Sequence, residues 1–69
     1  MKELLISLGY KLHSSCSCSG TYAERYKKGI YHVEIKPNRK VWSLKISGVF
    51  ATKGTAENLQ EKLQEYGVI

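Results

Sequence analysis

The sequence predicts an α+β protein: a two-layer sandwich in which an antiparallel meander of three to five strands carries an N-terminal and a C-terminal helix on one face. Three observations lead there. Both ends show apolar residues at helical spacing, Leu4, Leu5 and Leu8 at one and Leu59, Leu63 and Tyr66 at the other. The chain between them alternates apolar and polar residues with a period of two. The alternating segments are separated by short clusters of Gly, Ser, Pro and Asn, which suit hairpins. At 69 residues the chain makes a single small domain over 1–69. A chain of about that size buries only about 60% of its unfolded surface, so the core is thin and a deep substrate cavity is excluded.

The elements follow in order. "KELLISLGY" gives a helix of about two turns ending at Gly9. From Tyr10 the period becomes two, and Tyr10, Leu12, Ser14, Cys16 and Cys18 share one side of a half-buried strand that ends in a turn at Ser19 and Gly20. "TYAERYK" and "IYHVEIK" flank Lys27, Lys28 and Gly29, a fit to a three-residue hairpin loop. "PNRK" forms the next loop, with Pro37 at the position a type I turn prefers. If residues 36 and 41 close it, Tyr31, Val33 and Ile35 face the same way as Trp42, Leu44 and Ile46, which makes one sheet face wholly apolar. After Ser47 and Gly48, "VFATKG" is a short edge strand or a segment that carries Val49 and Phe50 into the core. "TAENLQEKLQEYG" is the closing helix, with Thr55 as its cap, Glu57 in the first turn, Ala56, Leu59, Leu63 and Tyr66 on the packed side, and Gly67 as its end. Both helices need the one apolar face, which leaves the other face to solvent.

Charge is divided unevenly. Residues 1–53 hold ten Lys or Arg against three Glu, whereas residues 54–69 hold one Lys against three Glu. A basic front of this kind suits a polyanion or an acidic protein patch. No Asp occurs, which argues against calcium loops and two-magnesium centres. No apolar run reaches the roughly 18 residues of a membrane span, and Met1 is followed by Lys and Glu with no signal-type apolar segment, so a cytoplasmic location is expected.

In "HSSCSCSG" the alternation turns both thiols inward beside Tyr10 and Leu12. They read as small buried residues in the reduced state; a disulfide between them is geometrically poor. Zinc needs four ligands, and His13 and His32, the remaining candidates, fall on the side away from the thiols. No metal or cofactor is expected on a continuous strand; a break or bulge at Ser14 to Ser17 would reverse the thiols' orientation and reopen zinc.

Lys27, Lys28, Lys36, Arg39 and Lys40 cluster at the two ends of the central strands, with Lys11, Arg25 and Lys45 on the strands' solvent side, and such charges neutralise phosphates. Tyr22 and Tyr26 share a face. The three-residue loop turns them outward as stacking rings beside the cations but turns Arg25 inward; a two-residue loop buries them together with Glu24. Glu57, Glu61 and Glu65 form an acidic row on the last helix that reads as a solvated stripe.

No phosphate loop or nucleophile elbow is present. A metal-free ribonuclease needs only a base beside cations, and Glu24, His32 and Arg25 come close across a hairpin in that arrangement. The order helix, three strands, helix and the "LGY" junction resemble the layout of HicA-type messenger-RNA-cleaving toxins and of double-stranded RNA-binding domains. Where the toxin family places a histidine after a glycine, "SGTY" has Tyr22, and with that departure the activity does not carry over. The expectation is a non-enzymatic module contacting nucleic-acid backbone, DNA or RNA, through an open sheet face and Lys-rich loops. The alternative is a protein-interaction module of the kind a phage or mobile element encodes to occupy a host protein or nucleoprotein complex.

Overall fold

The computed structural model describes residues 1–17 and 20–67. In chain order it has α1 (Lys2–Ser7), β1 (Lys11–Cys16), β2 (Ala23–Lys28), β3 (Tyr31–Lys36), β4 (Val41–Ile46), β5 (Val49–Thr55), a 3-10 turn (Ala56–Asn58) and α2 (Leu59–Glu65). The strands form one antiparallel meander in the order β1, β2, β3, β4, β5. This is the α+β architecture expected, with all five strands in place.

The apolar face is built by Tyr26, Val33, Ile35, Trp42 and Leu44, and the helices close it with Leu5, Leu59 and Leu63. The β3–β4 pairing is the one the sequence dictates. Lys36 pairs with Val41, and Pro37 occupies the second position of a turn closed by the Arg39 N–H donating to the Lys36 carbonyl at 3.0 Å. Trp42 can be buried because its indole N–H donates to the Thr55 carbonyl at 2.7 Å. The last helix begins more tightly than expected, as a 3-10 turn in which Asn58 Oδ1 accepts from the Thr55 N–H at 2.9 Å. Leu59 and Leu63 are buried as expected, while Ala56 and Tyr66 remain exposed.

Two open alternatives are decided and one expectation is corrected. The β2–β3 loop is the two-residue one, Gly29 and Ile30, since Lys28 pairs with Tyr31; Gly29 adopts φ +61°, the left-handed value its first loop position requires. This register places Tyr26 opposite Val33 and leaves the ring 1% exposed. It turns Glu24 inward, where the carboxylate accepts from the Tyr22 hydroxyl at 2.9 Å and the Tyr26 hydroxyl at 3.3 Å. Both hydrogen bonds offset its desolvation, so burying the aromatic ring wins. Second, of the two readings of the segment after Gly48 the edge strand holds: β5 has seven residues at the sheet's edge, and Val49 and Phe50 are 68% and 57% exposed rather than carried into the core.

The third concerns β1. A bulge between Leu12 and Ser14 interrupts the alternation: Leu12 pairs with Tyr26, but Ser14 pairs with Arg25, Ser15 with Glu24 and Cys16 with Ala23. Ser14, Ser15 and Cys16 thus lie on the faces opposite to those expected. Cys16 therefore sits half-buried on the sheet's outer side rather than in the core, and it is disulfide-bonded rather than reduced. Cys18, the only other cysteine of the sequence, and Ser19 of the expected turn lie outside the described residues.

Candidate nucleic-acid interface

The same alternation that buries Val33, Ile35, Trp42 and Leu44 presents their neighbours on the opposite face. That face carries Lys11 and His13 from β1, Arg25 and Lys27 from β2, His32, Glu34 and Lys36 from β3, Lys45 from β4, and Lys53 and Phe50 from β5. Both helices pack on the other side, so nothing among the described residues covers it.

The register organises these charges into rows across the strands. One row runs Lys11, Lys27, His32, Lys45, Phe50, each directly opposite the next. The next runs Ser14, Arg25, Glu34, Ser43, Lys53. Among the described residues Glu34 is the one carboxylate on the face, and Arg25 Nε engages its Oε2 at 2.9 Å. The first row holds no acid at all. Like charges directly opposite one another destabilise a sheet by about 0.2–1 kcal/mol per pair. A face made only to be wet would mix the two signs and avoid that cost. Phe50 ends the row as an exposed ring opposite Lys45.

Two cavities open on this face. A shallow one of about 500 Å³ lies over β3 to β5, lined by Glu34, Lys36, Ser43, Lys53 and Thr55. A smaller one of about 100 Å³ lies beside His32, lined by Arg25, Glu34, Ser43 and Lys45. His13 and His32 bring their rings to 6.4 Å, edge to face.

The expected binding residues divide. Lys27 and Lys36 lie on the outer face. Lys28 does not: its Nζ donates to the Leu8 carbonyl at 2.6 Å and lies 5.9 Å from the centre of the Tyr10 ring, so its ammonium caps α1. Arg39 and Lys40 occupy the turn beyond the end of the sheet, exposed but off the rows. Tyr26 is core, and Tyr22 is half-buried against Glu24; neither is an outward stacking ring. Burial first and the Glu24 carboxylate second raise the Tyr26 phenol's pKa, while for Tyr22 the hydrogen bond to Glu24 is the leading cause of a rise. The ribonuclease arrangement is also split, because Glu24 faces inward whereas Arg25 and His32 face outward. Among the described residues no three His, Cys or Glu side chains gather as metal ligands would.

Lys53, His13 and Phe50 are the additions. Alternation from Trp42 and Leu44 would have placed Lys53 through its partner Ser43, but nothing in the sequence announces the β1 bulge or the exposure of Phe50. No protein-family description, no curated protein and no solved structure matches the chain.

Proposed function

We propose that this chain is a non-enzymatic module that holds nucleic-acid backbone on the outer face of its sheet. The observation that supports the reading is the row Lys11, Lys27, His32, Lys45, which crosses four strands, sets Lys11 directly opposite Lys27 and holds no carboxylate. The repulsion is relieved when a polyanion lies along the row and releases its own counterions. Phe50 at the end of the row offers a ring on which an unpaired base stacks, so a single strand suits the surface better than a duplex. No helix of the described residues is long and apolar enough to cross a membrane. We place the protein's action in the cytoplasm, which cell fractionation checks.

Fluorescence anisotropy with labelled mixed-sequence oligonucleotides tests the binding. About four phosphate contacts predict roughly a hundredfold loss of affinity between about 50 and 200 mM salt. Absence of binding at the lower salt removes the proposal.

A second reading has its own support. The backbone bond from the Ser47 N–H to the Ile30 carbonyl, 2.9 Å, brings two hairpin tips together, and Ile30, Val49 and Phe50 are exposed there. A protein partner with an apolar anchor and an acidic rim would fit this corner and the adjoining cations. Partners that survive nuclease treatment and are lost on Ile30→Ser with Val49→Ser favour that reading over the first.

A further inference from the structure

The outer positions of β4 carry the short side chains of Val41 and Ser43, whereas their partners Lys36 and Glu34 on β3, and Lys53 on β5, are long. Thr55, opposite Val41, is short again. Short residues walled by long ones make a depression, and the cavity of about 500 Å³ is lined by all six. Sites that take small ligands run from about 300 to 1,000 Å³. The walls differ in sign: along the row Glu34, Ser43, Lys53, a carboxylate and an ammonium stand on either side of Ser43. Val41, half-buried, gives the floor an apolar patch. The depression also adjoins the acid-free row, since Ser43 lies two residues from Lys45 on β4 and Glu34 two residues from His32 on β3, about 7 Å at the rise of a strand. A backbone held on that row delivers its bases over Ser43 and Val41.

The geometry points to a base-selective subsite in this depression, taking an unpaired guanine of a bound single strand. The site rests on the backbone-binding reading of the face and deepens it from backbone to base. A carboxylate repels phosphate, so Glu34 suits a different part of the strand. Guanine alone among the bases carries N–H donors on two adjacent atoms, N1 and N2, and it also offers O6 and N7, the acceptor pair that Arg and Lys read most often. Glu34 takes the two donors. Arg25 Nε engages its Oε2 at 2.9 Å, but a carboxylate's oxygens have about four acceptor sites between them, and the side chain keeps 30% of its surface exposed. Lys53, across Ser43, meets O6 and N7. The ring lies flat on Val41, which removes apolar surface of both from water. Adenine and cytosine bring one amino group each, and thymine one ring N–H, so none of them satisfies the carboxylate as fully. A duplex engages both guanine donors, so only an unpaired base can enter.

The test is fluorescence anisotropy at low salt with a short labelled thymine strand carrying one guanine at its middle, against the same strand with adenine, cytosine, hypoxanthine or thymine there. The guanine strand should bind about tenfold more tightly than those with adenine, cytosine or thymine, the order of one bidentate base contact. Hypoxanthine, which lacks the N2 amino group, should fall between. Glu34→Gln removes the paired acceptor and Ser43→Leu fills the depression, so each should bring the guanine strand to the level of the all-thymine strand. Far-ultraviolet circular dichroism confirms that both variants are folded. In amide NMR, guanosine monophosphate should move Glu34, Val41, Ser43 and Lys53 more than adenosine monophosphate does. Equal affinity for every strand, or a preference for another base, overturns the subsite and leaves the backbone-binding face standing. A guanine preference that survives both variants overturns its placement in the depression. Guanosine monophosphate shifts at these residues in a protein that binds no strand uphold the subsite and overturn the face's reading.

Discussion

Replacing Lys11, Lys27 and Lys45 together by glutamine removes the lysines of the acid-free row and leaves the apolar face untouched. Lys11 lies directly opposite Lys27, and Lys27 and Lys45 flank His32. Relief of the Lys11–Lys27 pair should stabilise the sheet by about 0.2–1 kcal/mol. For a domain of this size each kcal/mol is about 4–8 °C in Tm, so a rise of a few degrees is expected, and a larger one at low salt. Binding should move the other way. Three lost phosphate contacts reduce the slope of log affinity against log salt by about 2 for a single strand and nearly 3 for a duplex. Anisotropy across a salt series and thermal melts by circular dichroism read both quantities. Lys2→Gln with Lys62→Gln is the control, since α1 and α2 place those charges away from the row. The reasoning is refuted if the triple variant loses no more slope per charge than the control, or if its Tm falls.

Three further outcomes follow from the packing. Lys28→Met keeps the aliphatic stem over Tyr10 but removes the donor to the Leu8 carbonyl; it should cost about 1 kcal/mol in urea denaturation while leaving oligonucleotide affinity unchanged. A Cβ at position 54 would fall on the Asn58 side-chain amide, so Gly54→Ala should displace the acceptor of the Thr55 N–H and cost about 1–2 kcal/mol, read in the same assay. The buried Tyr10 hydroxyl has no hydrogen-bond partner among the described residues, and burial, then the neighbouring Tyr31, push its pKa up to about 12. The folded state thus holds a proton that the unfolded chain releases near pH 10, so this contribution to stability is complete below about pH 10 and is lost as the pH rises toward 12. Tyr10→Phe should be about 1 kcal/mol more stable at neutral pH and show a shallower alkaline decline, which denaturant midpoints across that range would reveal.

How much could be read in advance depended on whether a segment carried its own face marker. Strands β3 and β4 have an aliphatic or aromatic residue at every second position, and Pro37 sets the turn between them, so their register was legible down to the pairing of Lys36 with Val41. In "HSSCS" no large apolar residue marks a side, and a single bulged residue reverses the strand without leaving a trace in composition. Gly29 signalled a turn but not its length. The choice depended on Glu24 finding two phenol donors, a tertiary fact that no local spacing contains. Much the same holds for the site. Alternation placed Lys11 and Lys45 on the open face, left Arg25 open between two loop registers and read Lys27 as a loop residue, whereas charge alone could not reveal that Lys28 is engaged by Leu8 or that Arg39 and Lys40 lie beyond the sheet.

Amide NMR of the labelled protein, titrated with a mixed-sequence single-stranded oligonucleotide, puts the most direct question to the outer face. Shifts should concentrate at Lys11, His13, Lys27, His32, Lys45 and Phe50 and spare Leu5, Leu59 and Leu63 beneath the sheet. Perturbations confined to the helices or to the turn at Arg39 and Lys40, or a spectrum that does not change, would contradict a docking surface on that face.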